Sequence, residues 1–411
     1  MKSWIDVSED SHFPIQNLPY GVFSRKGGPS RVGVRIGDFV LDLVEIHAAG
    51  LLPGPSVYGV PYLNDFMALG RTSWLDVRAT LTDLLREGES TLRDDLELRN
   101  RALVPITEVQ MHLPVKIGAY VDFYSSEQHA TNVGSMFRPD APLKPNWKYL
   151  PVGYNGRASS VVVSGTPIKR PMGQTAPGQA TEPIYGPSKN LDFELEVGFF
   201  TGADNPLGSQ VSTAKADDFI FGLALVNDWS ARDIQRWEYE PLGPFLAKTF
   251  ATTVSPWVVP MAALDPFRII GPMQDPPVLD YLKYDKPWRL NIELEVWLQT
   301  EKMTKPQLIS ETNFRNMYWN MAQQLAHQTV NGTNVQIGDL YASGTVSGEH
   351  PGSYGSMLEL AWRGERPITM EESGEERKFL QDGDTVTLTG YCQGEGYRVG
   401  FGEAVGRILP A

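Results

Sequence analysis

The chain has 411 residues, with 36 Lys and Arg against 49 Asp and Glu, which gives a formal net charge of −13. A surface this acidic repels phosphate backbones and anionic lipids, so nucleic-acid and membrane partners are disfavoured. The one cysteine excludes an internal disulfide and a cysteine-built zinc site, and no apolar stretch is long enough to cross a bilayer, so we expect a soluble, cytoplasmic protein.

The N-terminal region is predicted to form a small, mainly β module that ends near Leu113-Pro114. Alternating strands are expected at Arg31–Ile36 and Phe39–Val44, with a turn between them. A helix is expected from Trp74 to Arg86. Its core-facing stripe would contain Leu75, Ala79, Leu81 and Leu85. Because the length exceeds that of one average domain, we place a division between residues 1–115 and 116–411.

Beyond residue 115, short apolar runs separated by Gly and Pro predict a larger, β-rich domain. The expected strands are Val161–Ser164, Leu191–Phe200, Phe219–Asp228, Leu290–Thr300, Thr385–Tyr391 and Phe401–Ile408. A helix, Asn313–Thr329, is expected among them. No period of 20–50 residues recurs, which disfavours a solenoid or propeller. The sequence therefore predicts a mainly β protein of the α+β type.

Two glycine-rich segments near the C-terminus do not match a cofactor or nucleophile motif. The segment 394–402 has the wrong spacing for a nucleotide loop and is followed by a strand-like tail instead of a helix. In Gly344–Gly348 the serine stands one place too late for a nucleophile elbow. The six histidines include no pair at zinc-ligand spacing, which disfavours a His-rich transition-metal site.

The segment 191–197 alternates apolar and acidic residues without a break. A strand would place Asp192, Glu194 and Glu196 on one face and the apolar residues on the other. Two interpretations remain open: a half-solvated strand with an acidic outer face, or three carboxylates that share a cation. The segment 291–296, with Glu293 and Glu295, has the same pattern, so the pattern alone does not identify a functional strand.

Two further carboxylates follow apolar runs, where a strand end can point into a cleft. Asp228 follows the buried-type run Phe219–Val226, and Asp122 precedes a segment in which Ser125 and Gln128 have capping-box spacing. A helix that starts there would carry His129 in its first turn. Asp122, Glu194, Glu196 and Asp228 together would form an all-oxygen site suited to Ca²⁺ or Mg²⁺.

These segments resemble the fumarylacetoacetate hydrolase family from about residue 12 to the C-terminus. The carboxylate pattern is common to the wider superfamily, whereas the N-terminal block and the run from Asn227 to Pro260 are more specific. The segments that carry the resemblance are 13–21, 122–124 with His129, 153–160, 194–196, 227–235, 241–248, 252–260, 344–348 and 355–359.

The resemblance implies an SH3-like N-terminal domain, a larger β-roll catalytic domain and a homodimer. It implies hydrolytic cleavage of a carbon–carbon bond in a β-diketone dicarboxylate, 4-fumarylacetoacetate, to fumarate and acetoacetate, the last step of tyrosine and phenylalanine degradation. By matching position, Asp122, Glu194, Glu196 and Asp228 would hold Ca²⁺. Asp228, Lys248 and Thr252 correspond to a second site, for Mg²⁺.

The resemblance also implies roles for single residues. His129 would act as the base towards water, with Glu359 holding its imidazole. Donors to the developing negative oxygen would be Arg232, Gln235 and Lys248. Substrate-binding positions would be Tyr124, Arg138, Tyr154, Gln235, Tyr239 and Thr345. One residue departs from the family pattern: Asn155 stands where the family has histidine in the Tyr-x-Gly-Arg loop.

Two alternatives remain at this point. One is another member of the superfamily, an acylpyruvate hydrolase or an oxaloacetate decarboxylase, with the same carboxylates and a shorter acid as substrate. The other is a non-catalytic protein that binds a metal ion for stability. Metal analysis, a substrate panel and the replacement of His129 distinguish the three.

Overall fold

A computed structural model describes residues 1–178, 180–271 and 273–411. Sheet dominates, and the helices are mostly short. The α-helices are Leu43–Ala48, Asn64–Met67, Gly70–Leu85, Leu96–Ala102, Glu127–Phe137, Ala216–Phe219, Arg232–Glu238, Leu246–Thr249, Met261–Leu264, Met321–Thr329 and Met357–Leu360. Single 3₁₀ turns lie at Ile106–Glu108, Ala158–Ser160, Thr213–Lys215, Asp265–Phe267, Asp280–Leu282, Phe314–Asn316 and Pro351–Ser353. Among the described residues no helix combines the length and apolar character that a bilayer span requires.

The largest sheet runs through both halves of the chain. Its strands, in neighbour order, are Leu103–Pro105, Phe39–Asp42, Arg31–Ile36, Tyr20–Arg25, Trp257–Pro260, Ile220–Asp228, Leu195–Thr201, Leu340–Ala342, Tyr120–Phe123 and Gly153–Asn155. Three more strands join it at the side: Val109–His112, Thr252–Val254 and Val161–Val163. The N-terminal strands enter this sheet through the antiparallel pair Tyr20↔Val258.

A second sheet covers one face of the first. Its strands, in neighbour order, are Gln307–Asn313, Glu293–Gln299, Thr385–Gly394, Tyr397–Leu409 and Ile168–Lys169. Two-stranded pairs complete the fold: Met172–Thr175 with Ile184–Pro187, Leu191–Asp192 with Ser230–Ala231, Arg268–Ile269 with Arg289–Leu290, and Ile368–Thr369 with Glu376–Arg377.

Apolar residues from both sheets form the main core. Leu195, Leu225, Leu294 and Leu388 are fully buried in it, together with Trp229. Because side chains alternate along a strand, one face of each sheet can supply such a layer while the other face remains free for polar groups.

A second core joins the N-terminal module to the large sheet. Phe221 lies edge-on to Phe66 and Trp74, with ring centroids 5.9 and 5.1 Å apart. Tyr20 packs against the same Phe66 ring. The N-terminal helices therefore pack against the strand Ile220–Asp228 through Phe221.

The mainly β, α+β class is confirmed, and the element boundaries show where local patterns mislead. The strand Arg31–Ile36 is as predicted, but the next strand stops at Asp42, whose side chain caps a helix from Leu43. The strand predicted at Leu191–Phe200 is interrupted between Asp192 and Leu195.

Two helix predictions need correction. The helix predicted from Asn313 begins only at Met321, because Gln307–Asn313 is a strand and a capping box at Asn320 starts the helix. The helix Gly70–Leu85 exists, but Leu75 and Ala79 face solvent. Its buried stripe is Trp74, Val77, Leu81, Leu84 and Leu85.

Candidate active site

Four acidic side chains, three from strands of the large sheet and one from a strand break, meet in one buried pocket. Asp122, Glu194, Glu196 and Asp228 each place a carboxylate oxygen within 4.8 Å of the others. The register explains the convergence: Asp122 pairs with Ala342, which pairs with Gly198 on the strand of Glu196, and Leu195 pairs with Asn227. Residues far apart in the chain therefore lie side by side at one end of the sheet.

Two of these carboxylates are incompletely satisfied. Asp122 Oδ1 and Glu196 Oε1 are buried without a hydrogen-bond partner, although the other Glu196 oxygen accepts from the Gly344 N–H at 2.9 Å. Burial and the neighbouring carboxylates raise the pKa of both Asp122 and Glu196 well above the ordinary range. Unpaired, buried, all-oxygen donors that repel one another fit a hard divalent cation such as Ca²⁺ or Mg²⁺.

The other two carboxylates are neutralised by basic side chains. The buried Lys248 ammonium donates to Glu194 and, at 2.7 Å, to Asp228. Arg232 Nη2 donates to Glu194 Oε1 at 2.7 Å. Burial alone would raise the pKa of Glu194, but Lys248 and Arg232 lower it to about 2. Burial alone would lower the pKa of Lys248, but its partners Asp228 and Glu194 raise it, so the ammonium stays charged and acts as a donor.

Thr252 completes the environment of Asp228. Its hydroxyl donates to Asp228 Oδ1 at 3.1 Å, and the Tyr154 hydroxyl donates to Asp228 Oδ2 at 2.9 Å. Lys248 and Thr252 thus both donate to Asp228. A charged ammonium has no lone pair for a cation, which makes Lys248 a counter-charge in this arrangement.

The predicted base and its partner are in contact. His129 Nδ1 lies 2.6 Å from Glu359 Oε2, and both side chains are buried. The Tyr124 ring lies edge-on to the imidazole, with centroids 5.1 Å apart. Despite complete burial, the contact with His129 lowers the pKa of Glu359, which keeps it ionised. An ionised carboxylate on Nδ1 leaves Nε2 as the atom that can accept a proton.

Glu359 is held by residues that the sequence did not reveal. Asn132 Nδ2 donates to Oε1 at 2.9 Å, and the hydroxyls of Ser347 and Ser356 donate to Oε2 at 3.0 and 2.7 Å. Ser356 also caps the helix Met357–Leu360. A serine three residues before a glutamate was a usable signal for this cap.

The helix of His129 starts one residue later than predicted. Ser126, not Ser125, is the N-cap, and its hydroxyl accepts from the His129 N–H at 3.2 Å. Ser125 accepts instead from Gln324 Nε2 at 2.8 Å. His129 still lies in the first turn, as expected, because it is the third residue of the helix Glu127–Phe137.

The residues predicted to bind substrate lie at different depths. Thr345 is buried next to Gly344, and its hydroxyl oxygen lacks a partner. Arg138 ends the helix Glu127–Phe137 and donates only a long bond, 3.3 Å, to the Pro142 carbonyl. Tyr239 is 43% exposed at the end of the helix Arg232–Glu238, and Gln235 accepts from Arg232 Nη1 at 3.2 Å.

The two acidic strand patterns have opposite environments. Every residue from Leu191 to Thr201 is buried, whereas the strand Glu293–Gln299 alternates buried and half-exposed residues. Glu293 and Glu295 therefore belong to a half-solvated strand, the interpretation that the sequence had left open for Glu194 and Glu196.

Asn155 does not reach the carboxylate pocket. Its backbone pairs with Val121, so its exposed side chain points to the opposite face of the sheet from Asp122 and Tyr154. There it lines a surface cavity of about 390 Å³ with His327, and Tyr154 also belongs to the lining. The Asn155 side chain therefore faces away from the Asp122 carboxylate.

Comparisons with known proteins agree over the whole chain. A family model described as fumarylacetoacetate (FAA) hydrolase C-terminal matches residues 118–408, and one described as fumarylacetoacetase N-terminal matches residues 16–114. The chain is 56% identical to the fumarylacetoacetase of Homo sapiens and 55% identical to that of Caenorhabditis elegans, covering all of this chain and 99% and 100% of those proteins. A solved fumarylacetoacetate hydrolase from Exiguobacterium antarcticum has the same fold, with a TM-score of 0.55, 16% identity and coverage of 96% of this chain and 100% of that one.

Proposed function

The chain belongs to the fumarylacetoacetate hydrolase family, and we propose that it hydrolyses 4-fumarylacetoacetate to fumarate and acetoacetate. Relatives named fumarylacetoacetase at 50% identity or more span the full chain. The observation that carries the proposal is the joint burial of the His129–Glu359 pair and the four-carboxylate pocket. They are linked through Arg232 and Asp192, since Arg232 donates to both Glu194 and Asp192, and Asp192 accepts from the first turn of the helix that carries Glu359.

The chemistry assigns one task to each polar group. Cleavage requires water to add to a ketone carbon, after which the carbon–carbon bond breaks and its electron pair leaves on the carbon that becomes acetoacetate. His129 Nε2 accepts the proton of water, and Glu359 stabilises the imidazolium that results. The same imidazolium can return the proton to the departing carbon.

Negative charge that develops on oxygen needs fixed donors. The Lys248 ammonium has three N–H groups, of which two are used by Glu194 and Asp228, so the third is available to substrate. Arg232, which donates to Gln235 through Nη1, has further N–H groups to offer. Tyr124, Arg138, Tyr154, Tyr239 and Thr345 are proposed to bind the rest of the substrate.

A divalent cation completes the proposal. Asp122, Glu194, Glu196 and Asp228 would hold Ca²⁺, and Asp228 with Thr252, next to Lys248, would form a second site for Mg²⁺. A bound divalent ion polarises carbonyl oxygens and stabilises an enolate. The unpaired oxygens of Asp122 and Glu196 support a cation between them.

Three further proposals follow from family membership. The chain would divide into an SH3-like domain over residues 1–115 and a β-roll catalytic domain over 116–411. It would act as a cytoplasmic homodimer. Its place in metabolism would be the last step of tyrosine and phenylalanine degradation.

A substrate panel tests the proposal. Purified protein with Ca²⁺ or Mg²⁺ is given fumarylacetoacetate, an acylpyruvate or oxaloacetate, and the loss of diketone absorbance and the products are measured. We expect fumarate and acetoacetate in equal amounts, with kcat/KM highest for fumarylacetoacetate. Faster turnover of oxaloacetate or an acylpyruvate would indicate another reaction of the superfamily, and no turnover of any substrate would contradict the proposal.

A further inference from the structure

Asp192 is a fully buried carboxylate that lies outside the carboxylate pocket yet contacts two parts of the active site. Its Oδ2 accepts from Arg232 Nε at 2.7 Å and from the Leu358 N–H at 3.1 Å. Its Oδ1 accepts from the Met357 N–H at 2.7 Å. Every contact is short, and the residue is 0% exposed.

The two partners of Asp192 lead to opposite sides of the reaction centre. Arg232, once fixed at Nε, turns Nη2 towards Glu194 and Nη1 towards Gln235. Met357 and Leu358 form the first turn of the short helix that carries Glu359, the partner of His129. One carboxylate therefore joins the donor side of the site to the base side.

We propose that Asp192 is a positioning residue that sets the spacing between the Arg232 guanidinium and the Glu359–His129 pair. The inference rests on the proposed function, because only the cleavage reaction gives these two groups their roles. Asp192 is not one of the four carboxylates proposed to hold the cation, and it acts through the two groups that it holds.

Charge and geometry both argue for this role. A carboxylate can accept from the guanidinium and from two backbone N–H groups at once, whereas an amide has one acceptor oxygen and one donor nitrogen. Asparagine at this position must therefore present a donor to Arg232 or to the helix. Arg232 would then shift towards its remaining partners Glu194 and Gln235, and the reacting groups would lose their alignment.

The chain offers a matched control for a mutational test. Asp42, in the N-terminal module, is also 0% exposed, pairs with an arginine, Arg31, at 2.7 Å, and caps a helix through the Val44 N–H at 3.0 Å. Asp192→Asn and Asp42→Asn remove the same kind of interaction. Only the first lies at the proposed active site.

The test compares steady-state kinetics and thermal unfolding of the two variants with full-length wild type in the presence of Ca²⁺. We expect Asp192→Asn to lower kcat by about 10²-fold, the order that a misplacement of about 1 Å costs, with a much smaller change in KM. Asp42→Asn should lower the melting temperature about as much as Asp192→Asn does. It should leave kcat within about threefold of wild type, because Asp42 is remote from the chemistry.

A double-mutant cycle separates positioning from general loosening. If Asp192 acts through Glu359, the further loss caused by Asp192→Asn in a Glu359→Gln background should be much smaller than in wild type. Asp192→Glu, which keeps the charge, should recover part of kcat and serves as the second variant should the amide fail to fold.

The outcomes distinguish the inference from the proposed function. Wild-type kcat in folded Asp192→Asn, fully additive losses in the cycle, or an equal loss of kcat in Asp42→Asn would each overturn the positioning role alone. Wild type that fails to cleave fumarylacetoacetate would overturn the proposed function and this inference with it.

Discussion

Replacement of Glu196 by Gln tests the cation pocket without changing its shape. Glu196 is fully buried, with one oxygen bound to the Gly344 N–H and the other without a partner. The carboxylate oxygens of the pocket lie within 4.8 Å of one another. Unit charges at that distance interact by roughly 3 kcal/mol at an effective dielectric constant of about 20.

The sign of the effect depends on whether a cation is bound. Burial and neighbouring carboxylates raise the pKa of Glu196, so the cation-free protein keeps a proton there and Glu196→Gln should be neutral or slightly stabilising. With a cation, the variant loses one charged ligand. Removing one of the four carboxylate charges should lower Ca²⁺ affinity by about 10²-fold, which corresponds to roughly 3 kcal/mol.

Isothermal titration with Ca²⁺ and Mg²⁺, with unfolding measured in EDTA, gives both quantities. Glu295→Gln is the control, since Glu295 has the same strand pattern but lies in a half-solvated strand and accepts a bond from Trp297 Nε1 at 2.9 Å. The control should bind cations like wild type. Unchanged affinity in Glu196→Gln, or an equal loss in Glu295→Gln, would refute the assignment of the pocket.

Three further predictions concern the same pocket. Because the pKa values of Asp122 and Glu196 are raised in the cation-free protein, the stability of that form falls as the pH rises above about 4, the ordinary carboxyl range. EDTA should therefore lower the melting temperature more at about pH 8 than at about pH 5.5. An equal effect at both pH values would contradict this. Lys248→Met leaves Asp228 without a counter-charge and Glu194 with Arg232 alone, and it should cost about 3–5 kcal/mol in urea unfolding, partly recovered by added Ca²⁺; an unchanged midpoint would argue against the ion pairs. Gly344→Ala should weaken Ca²⁺ binding and cost more than the backbone strain of about 1–3 kcal/mol, since φ is +79° and a Cβ would lie 2.2 Å from a carbonyl oxygen of the adjacent strand. The control is Gly364→Ala, where φ is +84° and the nearest neighbour of a Cβ would lie 3.4 Å away. This control should cost only the backbone strain and bind Ca²⁺ normally.

The sequence indicated acidic residues that cluster in the structure, but it did not show which of them are buried. Alternation along 191–197 predicted Asp192, Glu194 and Glu196 on one face of a strand; the strand is interrupted after Asp192, and only Glu194 and Glu196 lie in the carboxylate cluster. The same alternation occurs at Glu293 and Glu295. What distinguishes the two segments is burial between other strands, which depends on pairings between residues distant in the chain, such as Gly198 with Ala342. A local pattern has no access to that information.

The same limit explains which residues were missed. Asp192 appeared in the sequence only as a third acidic residue, because its partners Met357 and Leu358 are 165 and 166 residues away. Asn132 had no signal of its own, although one helical turn from His129 places it on the same face. The helix start at Asn320 was missed because the segment before it, Gln307–Asn313, was partly assigned to the helix although it forms a strand.

The most direct test of the central claim is His129→Ala, assayed for turnover of fumarylacetoacetate and for bound metal in one preparation. His129 lies against Glu359 and outside the four-carboxylate cluster, so the variant should keep wild-type Ca²⁺ content and affinity. Its kcat should fall by about 10²- to 10⁴-fold, the range supplied by a general base. Turnover close to wild type, or loss of the metal together with activity, would contradict the account.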